Sequence, residues 1–325
     1  ASMAKMMLLA VTEDQIRAGR LSYNDPVRIS ALAARTRGSH LGLREGDVYP
    51  LGELMKAAII RSANDAAVAI AEKVAGSVEA CVRMMNEKAR ALRMEDTWYG
   101  TVDGLPPTPD HDIDRTTAFD LATLARSLIH NTNLLRWSAL ETAPFDGGRV
   151  TLRNTNHLVG HLEGCDGLKT GFTMQAGFNL TATARRSDLR LISVVLGAPS
   201  NPQRFIQSSR LLEWGFDNYT KVHLINRGEA LPVQVQVQAG PLIQPVADSD
   251  IALVVPKDQA PNVKIEYSVP QMVQGPLTNG ESLGQVIATN GGQVLAKVEA
   301  VSPIAVAAAP PANGTVVDGA ASSIR

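Results

Sequence analysis

Residues 166–173 read DGLKTGFT, and the chain is best interpreted from this stretch outward. It sets a Lys-Thr-Gly triplet after an Asp-Gly turn, and two further strand-like runs follow at 177–186 and 189–198. Tight turns divide the runs, with Ala-Gly between the first two and Arg-Ser-Asp between the second and third. Runs of this kind separated by turn residues predict an antiparallel meander of three strands.

Helical patterns lie on both sides of this predicted sheet. Residues 3–17 are apolar on most faces, which predicts a largely buried helix, and Ser2 is a suitable N-terminal cap for it. Residues 51–75 predict two helices interrupted near 61–63, and residues 38–50 predict a hairpin. Further helices are predicted at 78–92, 117–130 and 202–216.

The composition changes from about residue 220, where the sequence becomes rich in short strand-like runs. Residues 233–238 alternate strictly as VQVQVQ, and Gly, Pro and Asn-Gly punctuate the later runs. We therefore predict an α+β domain over 1–219 and a smaller all-β domain over 220–304. The tail over 305–325 is rich in Ala, Pro, Gly and Ser, and we expect it to be disordered.

The overall composition excludes several classes of function. The net charge is −1 and no block of lysine and arginine stands out, so binding to nucleic acid has no electrostatic support. No apolar run is long enough to span a bilayer. The two cysteines, Cys81 and Cys165, do not make a disulfide framework. They could pair in an oxidising compartment, but we expect two free, mostly buried thiols.

The start of the chain carries a serine and a lysine at a spacing that suits catalysis. Ser2 and Lys5 lie one helical turn apart, so their side chains share a face of the predicted helix. A serine hydroxyl is a weak nucleophile that needs a nearby base. A lysine can serve as that base if burial or a second cation lowers its pKa, and Lys169 is the candidate for that second cation.

A third motif, Ser62-Ala63-Asn64, falls at the predicted break between two helices, where side chains can turn into a cleft. Its second copy, Ser22-Tyr23-Asn24, lies in a polar turn before Pro26, and we interpret that copy as a loop. An S-x-x-K motif, an S-x-N-type element and a Lys-Thr-Gly triplet in this order are typical of serine acyl-transfer enzymes. The alternative is that the three motifs are unrelated local features that share no function.

Two groups of histidine and aspartate are weaker candidates. Asp110, His111, Asp112 and Asp114 could be drawn as a metal site, but their Pro-rich surroundings favour a solvated loop. His157 and His161 lie near the Lys-Thr-Gly strand, yet their segment does not have a helical pattern, and we assign them no role. We therefore expect neither a metal nor a cofactor.

The motifs and their surroundings closely resemble the low-molecular-mass penicillin-binding proteins of the D-alanyl-D-alanine carboxypeptidase type. The resemblance covers about residues 1 to 303 and implies a penicillin-binding transpeptidase/serine β-lactamase-like domain followed by that family's β-rich domain. The matching segments are 62–66 (SANDA), 101–105 (TVDGL), 166–171 (DGLKTG), 176–180 (AGFNL), 212–216 (LEWGF), 275–277 (GPL) and 284–286 (GQV).

The resemblance implies catalytic roles for three residues. Ser2 attacks the carbonyl between the last two D-alanines of a peptidoglycan stem peptide, and Lys5 acts as its base. The leaving D-alanine takes a proton through Ser62 and Lys5, and water then releases the acyl group. β-Lactam antibiotics are expected to acylate Ser2, and the resulting acyl group is expected to be released slowly.

The resemblance also implies how substrate is held. The backbone N–H groups of Ser2 and Phe172 form an oxyanion hole, Asn64 holds the substrate amide and positions Lys5, and Thr170 and Arg204 hold the terminal carboxylate. A solvated surface arginine is the alternative for Arg204. The expected substrate-binding residues are Asn64, Lys169, Thr170, Gly171, Phe172 and Arg204.

The chain departs from the family pattern in two places. Many family members have histidine after Lys-Thr-Gly where this chain has Phe172, which is expected to alter pH dependence or substrate preference. Family members also have strands before the nucleophile helix, so we expect N-terminal strands to be missing here. Given the substrate, a periplasmic or cell-envelope location is expected. The tail lacks the apolar face of an amphipathic membrane anchor, although membrane association of a full-length protein stays open.

Two other functions compete with the carboxypeptidase. A serine β-lactamase of the same superfamily would need an efficient deacylating base, and residues 100–116 offer aspartates but no glutamate motif of that kind. A non-catalytic peptidoglycan-binding or scaffolding protein would use the β domain for docking, and the three motifs together argue against it.

Overall fold

The computed structural model describes residues 1–106 and 113–307. The chain divides into two compact units, Ala1–Asp217 and Asn218–Arg325. The first combines helices with small sheets and the second is built from strands, as the sequence predicts. None of the helices in these described segments is both long and apolar enough to cross a lipid bilayer.

The first unit is organised around a buried helix, α1, in which every residue from Ala4 to Glu13 is buried. Because it is apolar on most faces, it packs among the surrounding helices rather than on a surface. The helices are α1 (Ala4–Arg17), α2 (Ala31–Ala34), α3 (Leu51–Ile60), α4 (Asn64–Ala75), α5 (Val78–Ala91), α6 (Ala118–Asn131), α7 (Leu135–Ser138) and α8 (Asn201–Asn218).

Three antiparallel strands form the sheet that carries the Lys-Thr-Gly triplet, in the order β5-β6-β7. Their bounds agree with the predicted meander to within one residue. The strands of this unit are β1 (Pro26–Arg28), β2 (Val48–Pro50), β3 (Thr142–Phe145), β4 (Val150–Arg153), β5 (Cys165–Thr173), β6 (Gly177–Arg186) and β7 (Leu189–Ala198).

The prediction of a hairpin over residues 38–50 is wrong. In the structure β2 pairs in antiparallel fashion with β1, whose residues lie 20 to 24 positions earlier in the chain. The intervening segment is held instead by the buried carboxylate of Asp65, which accepts hydrogen bonds from the backbone N–H groups of Leu41, Gly42 and Leu43. Paired N–H groups no longer need a strand partner, so this segment stays irregular.

The second unit buries two apolar clusters between small sheets. One sheet has the order β11-β16-β15-β13, a second has the order β10-β9-β14, and β12 pairs with β8. The strands are β8 (Tyr219–Ile225), β9 (Val235–Val237), β10 (Leu242–Ile243), β11 (Val246–Ala247), β12 (Ile251–Pro256), β13 (Val263–Ser268), β14 (Met272–Val273), β15 (Ser282–Asn290) and β16 (Gln293–Val301).

The predicted start of the tail needs a correction. Val306 is buried and exchanges two backbone hydrogen bonds with Leu277, so ordered structure continues beyond residue 304. The apolar contact of Val306 within the second unit explains why the Ala- and Pro-rich composition alone misplaced this boundary. The rest of the predicted tail, 308–325, lies outside the described residues.

Candidate active site

Ser2 lies immediately before the first turn of α1. The N-cap position is held by Met3, and no side chain caps the helix, so the prediction that Ser2 acts as the cap is wrong. Its hydroxyl is engaged elsewhere, because Lys5 Nζ lies 2.9 Å from Ser2 Oγ. The three-residue spacing on a helix therefore produces the predicted serine–lysine pair directly.

Lys5 is fully buried and its amine is surrounded by oxygen atoms. It donates hydrogen bonds to Asn64 Oδ1 at 2.6 Å and to the backbone oxygen of Asp103 at 2.9 Å. Neither of these two oxygens can donate a hydrogen bond in return. A neutral amine has two N–H groups and one lone pair, so these acceptors use both N–H groups and leave the lone pair for the Ser2 hydroxyl.

Burial is the main reason why Lys5 can lose its proton near neutrality. It lowers the pKa of Lys5 from its ordinary value of 10.5 to about 8, against the opposing charges of Asp103, Asp114 and Asp65. The sequence suggested that the charge of Lys169 would tune Lys5. In the structure desolvation of Lys5 itself lowers its pKa, and it is the charge of Lys5 that helps to lower the pKa of Lys169.

Ser62 and Asn64 occupy the junction between α3 and α4. Ser62 has a left-handed backbone conformation with φ of 64°, which lets the chain turn sharply between the helices. Asn64 begins α4, and its Nδ2 donates to the backbone oxygen of Arg37 at 2.6 Å while its Oδ1 accepts from Lys5. The predicted helix break therefore turns both side chains toward the site.

Lys169 is also fully buried and contacts Ser62. Its Nζ lies 2.8 Å from Ser62 Oγ and donates to the backbone oxygen of Thr170 at 2.8 Å. Burial lowers the pKa of Lys169 well below its ordinary value, and the nearby charges of Lys5 and Arg204 lower it further. The sequence had linked Ser62 to Lys5, whereas the hydrogen bond that holds Ser62 comes from Lys169.

Glycines allow the β5 strand and a loop to approach the start of α1. A Cβ atom added to Gly171 would lie 3.1 Å from Ala1 Cβ and 3.2 Å from the backbone nitrogen of Met3. A Cβ on Gly104 would lie 1.8 Å from the backbone oxygen of Ala1, and its φ of +81° also favours glycine. The Lys-Thr-Gly strand therefore runs directly against the segment that carries Ser2.

Thr170, on β5, and Arg204, on α8, are each held by contacts with neighbouring segments. Thr170 Oγ1 donates to Thr155 Oγ1 at 2.8 Å. Arg204 is only 8% exposed, so the alternative of a solvated surface arginine is wrong. Its Nη1 donates to the backbone oxygens of Gly171 and Asn179, at 3.2 and 3.4 Å. Its Nε is buried and has no partner among the described residues, so the guanidinium keeps donor capacity for an anion.

Phe172 follows the triplet at the exposed end of β5. Its ring is 44% exposed and stacks on Phe178, with ring centroids 4.2 Å apart. Gly171, the residue before Phe172, lies against Ala1 and Met3, the two neighbours of Ser2 in the chain. The N–H of Ser2 precedes the first helical turn, where N–H groups have no intrahelical acceptor. The N–H groups of Ser2 and Phe172 remain our expectation for an oxyanion hole.

The weaker candidates among the described residues make contacts other than those that hold Ser2, Lys5 and Ser62. Ser22 is exposed and its Oγ accepts from the N–H of Asn24 in a turn, as predicted for the decoy motif. His157 stacks on Phe205, and His161 contacts the backbone oxygen of Val159. Of the candidate metal cluster, Asp110, His111 and Asp112 lie outside the described residues, and Asp114 Oδ1 accepts hydrogen bonds from the backbone N–H groups of Gly100 and Thr101. Within residues 1–106 and 113–307 no group of three or more acidic, histidine or cysteine side chains is arranged to hold a metal.

Both cysteines are free and buried, as predicted. Burial raises the pKa of the Cys81 thiol to about 12 and that of the Cys165 thiol to about 11. Because a thiolate is the reactive form, neither thiol competes with Ser2 as a nucleophile.

Three contacts of the site were not predicted from the sequence. The backbone oxygens of Asp103 and Arg37 fix Lys5 and Asn64, and the hydroxyl of Thr155 fixes Thr170. Asp103 lies in the segment 101–105, which resembles the family, but the resemblance implies no role for its backbone oxygen. Every residue has a backbone oxygen, so the sequence does not indicate that Arg37 is the residue whose oxygen accepts from Asn64.

Both units of the chain match known protein families. Residues 1–200 match the family profile described as D-alanyl-D-alanine carboxypeptidase, and residues 219–308 match the C-terminal domain of penicillin-binding protein 5. The chain is 30% identical over 311 residues to the D-alanyl-D-alanine carboxypeptidase DacF of Bacillus subtilis, covering 94% of this chain and 78% of that protein. It is 34% identical over 297 residues to DacC of Escherichia coli, covering 88% and 72%.

Solved structures show the same similarity. Penicillin-binding protein 5 of Haemophilus influenzae superposes with a TM-score of 0.81 at 29% identity, covering 94% of this chain and 90% of that one. Ampicillin-bound penicillin-binding protein D2 of Listeria monocytogenes superposes with a TM-score of 0.61 at 30% identity, covering 66% and 86%. With the serine–lysine pair, the Ser-Ala-Asn turn and the Lys-Thr-Gly strand gathered at one site, this chain belongs to the D-alanyl-D-alanine carboxypeptidase family.

Proposed function

We propose that this chain is a serine-type D-Ala-D-Ala carboxypeptidase that removes the terminal D-alanine from peptidoglycan stem pentapeptides through an acyl-enzyme on Ser2. One observation carries the proposal. Ser2 Oγ lies 2.9 Å from a fully buried Lys5 whose two amine N–H groups are already used by fixed acceptors. This arrangement supports a lysine that accepts the serine proton.

The first chemical step forms a bond between Ser2 Oγ and the carbonyl carbon of the penultimate D-alanine, while the hydroxyl proton passes to Lys5. Negative charge develops on the carbonyl oxygen, and we assign its stabilisation to the N–H groups of Ser2 and Phe172. Donors of this kind are typically worth about 3 kcal/mol each in the transition state. The bond to the leaving nitrogen then breaks, and that nitrogen needs a proton.

The proton that Lys5 takes from Ser2 must reach the leaving nitrogen, and we expect Ser62 to relay it by giving its hydroxyl proton to that nitrogen and receiving the proton of Lys5. The relay returns Lys5 to its neutral form. Lys169 holds the Ser62 hydroxyl at 2.8 Å. The terminal carboxylate of the substrate suits the guanidinium of Arg204 and the hydroxyl of Thr170, and Asn64 suits the substrate amide. Arg204 supports this assignment, because its hydrogen bonds to the described residues come from Nη1 and leave other N–H donors of the guanidinium available beside Gly171. Water finally hydrolyses the ester on Ser2.

The same chemistry leads to the expected inhibitors, partners and location. β-Lactams present a strained amide to Ser2, so we propose that they acylate Ser2 and that the acyl group is released slowly. The partner is the peptidoglycan stem peptide, and no cofactor is required. Peptidoglycan lies outside the cytoplasmic membrane, so we propose that the enzyme works in the periplasm or cell envelope.

The pH dependence of peptide hydrolysis tests the proposed function. With a substrate ending in D-Ala-D-Ala, kcat/KM should rise about tenfold per pH unit at low pH and level off above about pH 8, because the base must be neutral and burial lowers the pKa of Lys5 to about 8. An ordinary lysine would move the midpoint toward 10.5. No release of D-alanine at any pH would refute the proposal, and a rate that falls as pH rises from 6 to 8 would refute Lys5 as base.

A further inference from the structure

Two stacked pairs of aromatic rings lie close to Arg204 and to the Lys-Thr-Gly strand. We call Phe172, Phe178, Phe205 and His157 the aromatic row. Phe172 stacks on Phe178 with centroids 4.2 Å apart and an interplanar angle of 25°. Phe205 stacks on His157 with centroids 4.9 Å apart and an angle of 14°. Phe172 and Phe178 are directly paired residues of β5 and β6, so the first stack is fixed by strand register.

Arg204 joins the two stacks. Its guanidinium carbon lies 5.6 Å from the ring centroid of Phe178 and 4.9 Å from that of Phe205, within the range of cation–π contact. The guanidinium also donates to the backbone oxygen of Gly171, the residue before Phe172. The carboxylate-binding candidate and the ring of Phe172 are therefore held on the same side of the same strand, with the ring of Phe178 against both.

The leaving residue of a bound peptide would be anchored at both ends. Its nitrogen is bonded to the carbonyl carbon, whose oxygen we assign to the N–H of Phe172, and its carboxylate goes to Arg204 and Thr170. Only the nitrogen, the Cα and the carboxyl carbon span these anchors. We place the side chain on that Cα beside Phe172, which follows Gly171 in β5 and is 44% exposed.

We infer that Phe172 is a specificity-determining residue, which makes the subsite for the leaving residue favour apolar side chains over polar ones. The inference rests on the proposed carboxypeptidase function and deepens it. A ring edge offers apolar contact and no hydrogen bond. Added methylene groups on the leaving residue should therefore raise kcat/KM, and a hydroxyl group should lower it. Burial of one methylene group corresponds to about a fourfold change in kcat/KM.

Peptides that differ only in the terminal residue test this inference with the full chain. Acyl-D-Ala-X substrates are compared with X as glycine, D-alanine, D-serine, D-2-aminobutyrate and D-norvaline. The critical pair is D-2-aminobutyrate and D-serine, which have similar size and differ in a methyl against a hydroxyl group. We expect kcat/KM to favour D-2-aminobutyrate by about fourfold or more, and to rise from glycine to D-alanine to D-2-aminobutyrate.

Variants then assign the preference to Phe172. Phe172→Ala keeps the backbone N–H and should reduce the ratio of D-2-aminobutyrate to D-serine to about one, whereas Phe172→Leu should retain most of it. A variant that merely loosens β5 would lower kcat/KM for every peptide without changing the ratio. Phe119→Ala removes another strongly exposed phenylalanine, at the start of α6, and should leave the ratio unchanged.

The outcomes separate this inference from the function on which it rests. Hydrolysis of the D-alanine peptide with equal rates for D-2-aminobutyrate and D-serine would overturn the inference alone. An unchanged ratio in Phe172→Ala would also overturn it. Failure to hydrolyse any peptide of the series would overturn the proposed function and the inference together.

Discussion

Replacement of Lys5 with methionine is expected to slow acylation of Ser2 by about 10⁴-fold, the upper range for loss of a general base. Methionine has a similar length and no charge, so it can fill the fully buried position while removing the amine. The hydroxyl of Ser2 then has no group 2.9 Å away that can accept its proton. The measurement is the rate of covalent labelling by a fluorescent penicillin under single-turnover conditions.

Lys56→Met is the matched control for this experiment. Lys56 is a largely buried lysine on α3 that is paired with Glu53, and it does not belong to the candidate site. Its variant should be acylated at the wild-type rate. Thermal unfolding of both variants checks that each is folded. Acylation of a folded Lys5→Met protein within about tenfold of wild type would show that another group is the base.

Asn64→Asp is expected to shift the whole pH profile of acylation to higher pH. Asn64 Oδ1 accepts from Lys5 Nζ at 2.6 Å, so a carboxylate there stabilises the ammonium form of Lys5. An adjacent opposite charge raises the pKa of such a group by about one to three pH units. Only neutral Lys5 can act as a base, so the rate at pH 7 should fall about 10- to 1000-fold and recover at high pH.

Asn64→Leu separates this electrostatic effect from the loss of hydrogen bonds. Leucine has a similar size and removes both the contact with Lys5 and the contact with the backbone oxygen of Arg37, without adding a charge. Its profile should be lower in amplitude at every pH, and its midpoint should not move upward. An Asn64→Asp midpoint equal to that of wild type would mean that Lys5 does not titrate in the step that limits acylation.

The parts of the site that could be predicted from the sequence are those fixed by local geometry. Ser2 and Lys5 share a helical face because they are three residues apart, and their contact follows once α1 forms. The β5–β6–β7 meander follows from strand patterns divided by tight turns. The helix break at Ser62 was also visible, and it brings this side chain to Lys169.

What could not be predicted depends on chain paths and burial. The partner of β2 is β1 rather than a neighbouring hairpin strand, because Asp65 satisfies the intervening N–H groups. The backbone oxygen of Asp103 reaches Lys5 across 98 positions of sequence, which no local pattern encodes. The cause of the lowered pKa of Lys5 and Lys169 could not be predicted either, because desolvation dominates the pKa of each and depends on burial in the folded chain.

The central claim is that Ser2 becomes covalently acylated in a site assembled by Lys5, Ser62 and Lys169. The most direct test is mass spectrometry of the intact and proteolysed protein after incubation with benzylpenicillin. We predict a single adduct with the mass of the antibiotic, located on the peptide that contains Ser2, persisting for minutes and absent from Ser2→Ala. An adduct at another residue, an adduct that persists in Ser2→Ala, or no adduct on the folded wild-type protein would contradict the account.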